Sequence, residues 1–146
     1  MAIAALQVQK QIDTDQLLLF CPADHHIPDS NAFANCIKQG IESAKGGSIV
    51  TFGVLPTFPS TAYGYIEVGD LQADGSRQVL RFVEKPKADA AQKLILKGGA
   101  LWNAGIFLVS VETLLNALKE HAPDILDSCC KSMEGNEGQT GLGDKS

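Results

Sequence analysis

No stretch of this sequence approaches the roughly 18 consecutive apolar residues that mark a membrane-spanning helix, so no span is expected. Met1 to Gln11 carries neither the basic start nor the small-residue cleavage site of a secretory leader. Positive charge is also scarce. Twelve Lys and Arg stand against 17 Asp and Glu, a net charge of −5, whereas a nucleic-acid surface needs a basic face. The balance argues against that class, but one or two placed cations or a bound Mg2+ still suffice for an anionic small molecule. Zinc-ligand spacing is missing as well. Cys21, Cys36, Cys129 and Cys130 form no CxxC pair, and no histidine lies at finger spacing from them. Adjacent Cys129 and Cys130 cannot easily bridge each other. All four read as reduced structural thiols, which favours the cytoplasm.

What is present is ordinary globular material. Of 146 residues, 45% are apolar and 20% charged, one domain's worth of chain or part of a larger one. A fold of this size buries roughly 68–70% of its unfolded surface, so no staple is required. Ala2–Gln11 has helical composition but no preceding N-cap, as if a helix were entered partway. Leu17–Cys21 (LLLFC) is a short continuous apolar run of the kind buried on both faces of a sheet. Asp29 or Ser30 can cap a helix to Lys45, with Phe33, Ile37, Ile41 and Ala44 on one face.

Ser48–Val54 is a second strand, followed by a Pro-rich loop from Pro56 to Tyr63. Gly64–Val68 and Gln78–Val83 flank the turn-rich segment Asp70–Ser76 as a hairpin-like pair. Ala88–Lys97 is a helix closed by Gly98-Gly99, Trp102–Val109 a strand, Val111–His121 a helix, and Pro123 to Met133 a last helix. The Gly-rich polar tail, Glu134 to Ser146, is expected to be disordered. Alternating strands and helices predict an α/β layered fold with a largely parallel or mixed sheet.

Ligands of α/β sheets sit beyond the carboxyl ends of the strands. Two segments fall there: Pro22-Ala23-Asp24-His25-His26 and Glu84-Lys85-Pro86. A third, Trp102-Asn103-Ala104-Gly105, joins them if its strand runs antiparallel to the others. Asp24 suits a hard cation such as Mg2+, or else caps its turn through backbone amides. His25 and His26 point in different directions and suit a structural or base-stacking role. Glu84 and Lys85 offer a carboxylate for sugar hydroxyls and an ammonium for phosphate, or form a solvated pair at a strand end. Asn103 can donate to and accept from a hydroxyl, or serve as a turn amide. Gly64 permits a ligand ring against the backbone, or merely starts a strand.

The ordered segments LLLFCPADHHIPD, VTFGVLPTFPSTAYGYIEVGD, FVEKPKADAAQKLILKGGALWNAGIFLVS and LKEHAPDI resemble the bacterial-type mannose-1-phosphate guanylyltransferases from about Ala2 to about Cys130. The resemblance implies transfer of GMP from GTP to mannose 1-phosphate, giving GDP-mannose and pyrophosphate. It also implies a Rossmann-like nucleotidyltransferase core with a mixed, mostly parallel sheet, flanking helices and an incomplete N-terminus. On this resemblance Asp24 looks like the Mg2+ ligand, with Ala23 beside it in the substrate site, and Gly64 like the glycine close to the sugar. Glu84 and Asn103 look like the mannose hydroxyl contacts, and Lys85 like the lysine on the sugar phosphate. Asp24 and Lys85 would then serve the chemistry.

The sequence departs from the family's pattern in several places. The Gly-rich signature loop is absent, so the chain is expected to be a central slice: residues 1–133 a partial nucleotidyltransferase domain, 134–146 its tail. The second metal-binding aspartate has only Asp144 as a poor stand-in. Thr61-Ala62 and Asn103-Ala104-Gly105 stand where Thr-Gly and Asn-Ser-Gly are usual. Little activity alone, and self-association through an open sheet edge, are the corresponding expectations. A thymidylyl- or uridylyltransferase and a non-catalytic nucleotide-sugar-binding fragment are the alternatives.

Overall fold

The computed structural model describes residues 1–12 and 15–136. In chain order the elements are α1 (Ala2–Gln11), β1 (Leu17–Phe20), α2 (Ser30–Lys45), β2 (Val50–Val54), β3 (Tyr65–Leu71), β4 (Arg77–Val83), α3 (Ala88–Lys97), β5 (Ala100–Ser110), α4 (Val111–His121) and α5 (Pro123–Asn136). The α/β reading of the sequence stands. Its mostly parallel sheet does not, because every strand pairing among the described residues is antiparallel. The reason is the position of β5. Phe107 and Leu108 pair with both β1 and β2, so those two strands flank β5 on opposite edges. β1 and β2 are therefore parallel to each other, but β5 lies between them and runs the other way. β3 pairs with Ala100, Leu101 and Trp102 at the start of β5, and β4 completes the hairpin.

Strand ends follow from these partners. β5 begins at Ala100, not Trp102, because Ala100 pairs with Glu67. β3 runs on to Leu71, opposite Arg77. Cys21 falls outside β1, and α5 continues past Met133 to Asn136, so the first three residues of the expected tail are helical. Residues 137–146, including Asp144, lie outside the described residues.

Side-chain chemistry fixes the helices. Asp29 caps α2 by accepting from the Ala32 amide at 2.8 Å, and Ser110 caps α4 by accepting from the Thr113 amide at 3.1 Å. Gly40 lets α2 close on β2, since a Cβ there would stand 3.1 Å from Val50. One core cluster joins Ala5, Val109, Val111 and Leu114, with Leu18 and Phe20 of β1 packed against it. A second gathers Tyr65, Ala91, Leu94 and Ala100, with Trp102 at its border. Tyr65 is fully buried, and its hydroxyl donates to the Ser60 carbonyl at 2.9 Å. All four cysteines are unpaired.

The β3–β4 hairpin is tied across its strands by Arg81 and Glu67 at 2.8 Å. The hydrogen bond from Arg81 holds the Glu67 carboxyl below its usual value. At the tip, Asp74 accepts from the Ser43 hydroxyl of α2 and from the Ser76 amide. These bonds, the Ser43 bond foremost, lower the Asp74 carboxyl to about 2 from 3.8. A depressed folded-state value means the contact contributes above the unfolded value and is lost as pH falls through the folded one. A carboxyl-carbon NMR titration should therefore show Asp74 titrating near 2, and Ser43→Ala should move it back toward 3.8.

Two substitutions test the packing. Tyr65→Phe, which leaves the Ser60 carbonyl unpaired, is expected to cost about 1 kcal/mol. Gly53→Ala would place a Cβ 2.7 Å from the Leu101 Cβ, and crowding of this kind costs roughly 1–3 kcal/mol. Urea denaturation reads both.

Candidate functional site

The antiparallel course of β5 puts the Trp102 end of that strand level with the carboxyl ends of β1 and β2: Phe20 pairs with Phe107 and Val54 with Trp102. The third sequence segment thus joins the first at one edge of the sheet. Between Thr51 and Gly53, β2 advances two residues while β5 advances four, from Phe107 to Asn103. The surplus is a bulge at Ala104-Gly105-Ile106, and bulges re-aim neighbouring side chains. Gly105 takes φ +68 there. Its amide donates to the Asn103 Oδ1 at 3.0 Å, and a Cβ on it would stand 3.5 Å from Pro22. The β1 end and the bulge are in contact.

Asn103 is the junction of the site. Its backbone amide donates to the Gly64 carbonyl at 2.8 Å. Its side-chain oxygen is held by Gly105, which leaves the amide NH2 group as the part with donors to offer. Gly64 in turn seats Glu84: a Cβ on Gly64 would lie 2.8 Å from Glu84 Oε2 and 3.7 Å from Asn103 Cβ. A Cβ there would make the exposed Glu84 carboxylate shift. Lys85 Nζ lies 3.8 Å from Glu84 Oε1, and both side chains are mostly exposed.

A cavity of about 510 Å³ opens beside this junction, rimmed by Asp24, His25, His26, Tyr63, Trp102 and Asn103. Asp24 and Ala23 are exposed, and Asp24 makes no hydrogen bond or ion pair with another described residue. The turn-capping alternative for Asp24 therefore has no bond to support it. Glu84 and Lys85 do not line this cavity, and neither does Ala23. Glu84 lies outside it, against Gly64, whose carbonyl accepts from the Asn103 amide. A larger hollow, about 830 Å³, lies between α2 and the hairpin and includes none of the residues singled out from the sequence. The smaller cavity is the better site because titratable and amide groups converge on it.

Sequence reasoning missed an aromatic brace. Phe58 and Tyr63 meet Trp102 edge-on, with ring centroids 5.1 and 5.0 Å apart. The brace pins the loop before Gly64 onto β5. The Trp102 indole N–H is buried without a partner. Three aromatics within a few residues of the two glycine turns were the available signal.

Paired carboxylate and lysine at a strand end, an amide on a bulge and a carboxylate after β1 bring charges of both signs and hydrogen-bonding groups to one edge of an α/β fold. The nucleotidyl transferase family matches residues 1–145, and the chain belongs to that family. It is 39% identical over 137 residues to the mannose-1-phosphate guanylyltransferase of Escherichia coli K12, covering 90% of this chain and 29% of that protein. It also matches the crystal structure of a mannose-1-phosphate geranyltransferase from Thermus thermophilus, with TM-score 0.82 and 30% identity over 92% of this chain and 40% of that one. A mannose-6-phosphate isomerase structure from Helicobacter pylori matches with TM-score 0.78 and 39% identity, over 91% and 48% of the two chains. The chain thus spans under a third of its E. coli relative.

The bulge makes a separable demand on Asn103. Asn103→Asp keeps the oxygen that accepts from Gly105 and should stay within about 0.5 kcal/mol of wild type. Asn103→Ala removes that acceptor and should cost about 1 kcal/mol in the same denaturation experiment.

Proposed function

We propose that the chain carries the sugar-phosphate half of a guanylyl transfer, in which GMP passes from GTP to mannose 1-phosphate to give GDP-mannose and pyrophosphate. The observation that carries the reading is the seat of Glu84 against Gly64, one hydrogen bond from Asn103 and beside Lys85. Glu84 accepts from two mannose hydroxyls, and the free Asn103 NH2 donates to a third. Gly64 lets the ring approach the backbone. Lys85 meets the sugar phosphate as a point charge. Ala23 belongs to the wall next to Asp24.

The phosphate oxygen of mannose 1-phosphate is already a nucleophile, so no general base is required. The protein's task is to align it and to offset charge on the transferring group. Asp24 is the residue that would hold Mg2+. No group of three metal-binding side chains exists among the described residues, and an all-protein cage is not what Mg2+ needs. It keeps several waters and takes one or two carboxylates with substrate phosphates, which fits a single unpartnered carboxylate. Bound there, the ion would neutralise phosphate charge.

Unpaired cysteines support a reducing compartment such as the cytoplasm. β1 pairs with β5 alone among the described strands, so its second edge supports self-association. The relatives' greater length supports low activity for the chain by itself.

Pyrophosphate release with Mg2+, GTP and mannose 1-phosphate, together with calorimetric titration of GDP-mannose, tests the reading. Binding is expected, weakened about tenfold or more in Asp24→Ala and in Gly64→Ala, each a loss of at least about 1.4 kcal/mol. GDP-mannose binding without pyrophosphate release would favour the non-catalytic fragment. Equal response to thymidine- or uridine-diphosphate sugars would contradict the guanylyl assignment.

A further inference from the structure

The cavity beside Asn103 is polar at its mouth and apolar within. Asp24, His25, His26 and Cys36 line it as exposed residues. The lining residues that are buried or half-buried are Phe33, Phe52, Trp102, Asn103, Ala104 and Ile106. Of these, Asn103 alone offers the cavity a polar side-chain group, because the Trp102 indole N–H is itself buried. The Ile106 carbonyl already accepts from the Thr51 hydroxyl at 3.3 Å. A hydroxyl lodged against Ala104 and Ile106 would leave its water partners and find no replacement. A methyl group there gives up no hydrogen bond and buries apolar surface.

That division bears on which sugar the site takes. A carboxylate presents two oxygens side by side, which suits hydroxyls on adjacent ring carbons, and Glu84 has that role in the function proposed above. The Asn103 NH2 group takes a third ring hydroxyl, because its oxygen is held by Gly105. Mannose 1-phosphate carries one more hydroxyl, on its exocyclic carbon, and these two side chains leave it without a partner. Asn103 is bonded to Gly64 and also lines the cavity. We propose that a ring held by Glu84 and Asn103 directs its exocyclic carbon into this cavity. The site then takes a 6-deoxyhexose 1-phosphate as well as mannose 1-phosphate, and holds the deoxy sugar more tightly. A pocket with no partner for a hydroxyl discriminates mildly in this direction. One built to bond that hydroxyl would reject the deoxy sugar roughly ten-thousandfold. The inference extends the function proposed above and rests on it for the hold of Glu84 and Asn103 on the ring.

Calorimetric titration of the whole chain with mannose 1-phosphate and with 6-deoxymannose 1-phosphate, each in the presence of Mg2+, tests it. The deoxy sugar phosphate is expected to bind about three- to tenfold more tightly, the effect of one hydroxyl left unpaired. Equal or tighter binding of mannose 1-phosphate overturns the proposal while the function above stands. Ala104→Ser puts a hydroxyl on the cavity wall. It should shift the affinity ratio at least about threefold back toward mannose, with the thermal midpoint within about 2 °C of wild type. A ratio that does not move in folded Ala104→Ser chain overturns the placement of the exocyclic carbon. If that variant does not fold, the wild-type ratio decides alone. Binding of neither sugar phosphate to wild-type chain defeats the functional reading, and this inference with it.

Discussion

The hydrogen-bond ladder of β5 is what the rest of the structure depends on. Its eleven residues pair with β1, β2 and β3, so one strand satisfies the backbone of three others. It also supplies Val109 and Ala100 to the two core clusters. Because it runs against β1 and β2, its beginning meets their ends. A sheet of purely parallel strands would send Asn103 to the far edge, away from Asp24. The direction of one strand therefore decides whether three short segments, distant in sequence, come to one edge of the sheet.

Local geometry then refines what the ladder brings together. The bulge at Ala104-Gly105-Ile106 breaks the β2 register and commits the Asn103 oxygen to Gly105, leaving its NH2 group for other partners. Gly64 is bonded to Asn103 and backed by the Glu84 carboxylate. The Trp102 brace holds the intervening loop. None of these groups is deeply buried, and no charged pair among them needs to offset a large desolvation cost. The arrangement is held by backbone hydrogen bonds and turns, and the charged ends stay free for a ligand.

Much of this was legible in the sequence, for reasons that differ by element. Asp29 before the α2 stripe and Gly98-Gly99 after α3 name their elements through local chemistry, and those boundaries agree with the structure; the hairpin was legible as a pair, but β3 runs past the expected Val68 to Leu71. Strand pairing was not legible. Leu17 to Phe20 reads as a strand buried on both faces, which suggested parallel neighbours, but the antiparallel insertion of β5 is a long-range fact that no local pattern encodes. At the site, Asp24, Gly64, Glu84, Lys85 and Asn103 were singled out from strand-end position and resemblance. The seat of Glu84 against Gly64 needed coordinates, because its two segments are distant in sequence and meet only in space.

The most direct test of the central claim is an amide NMR titration of the chain with GDP-mannose in the presence of Mg2+. The strand-direction account expects shift changes together at Asp24–His26, Gly64, Glu84–Lys85 and Asn103–Gly105, all with one saturation curve. Changes confined to the hollow between α2 and the hairpin, or separate saturation of the Asp24 and Glu84 groups, would contradict it.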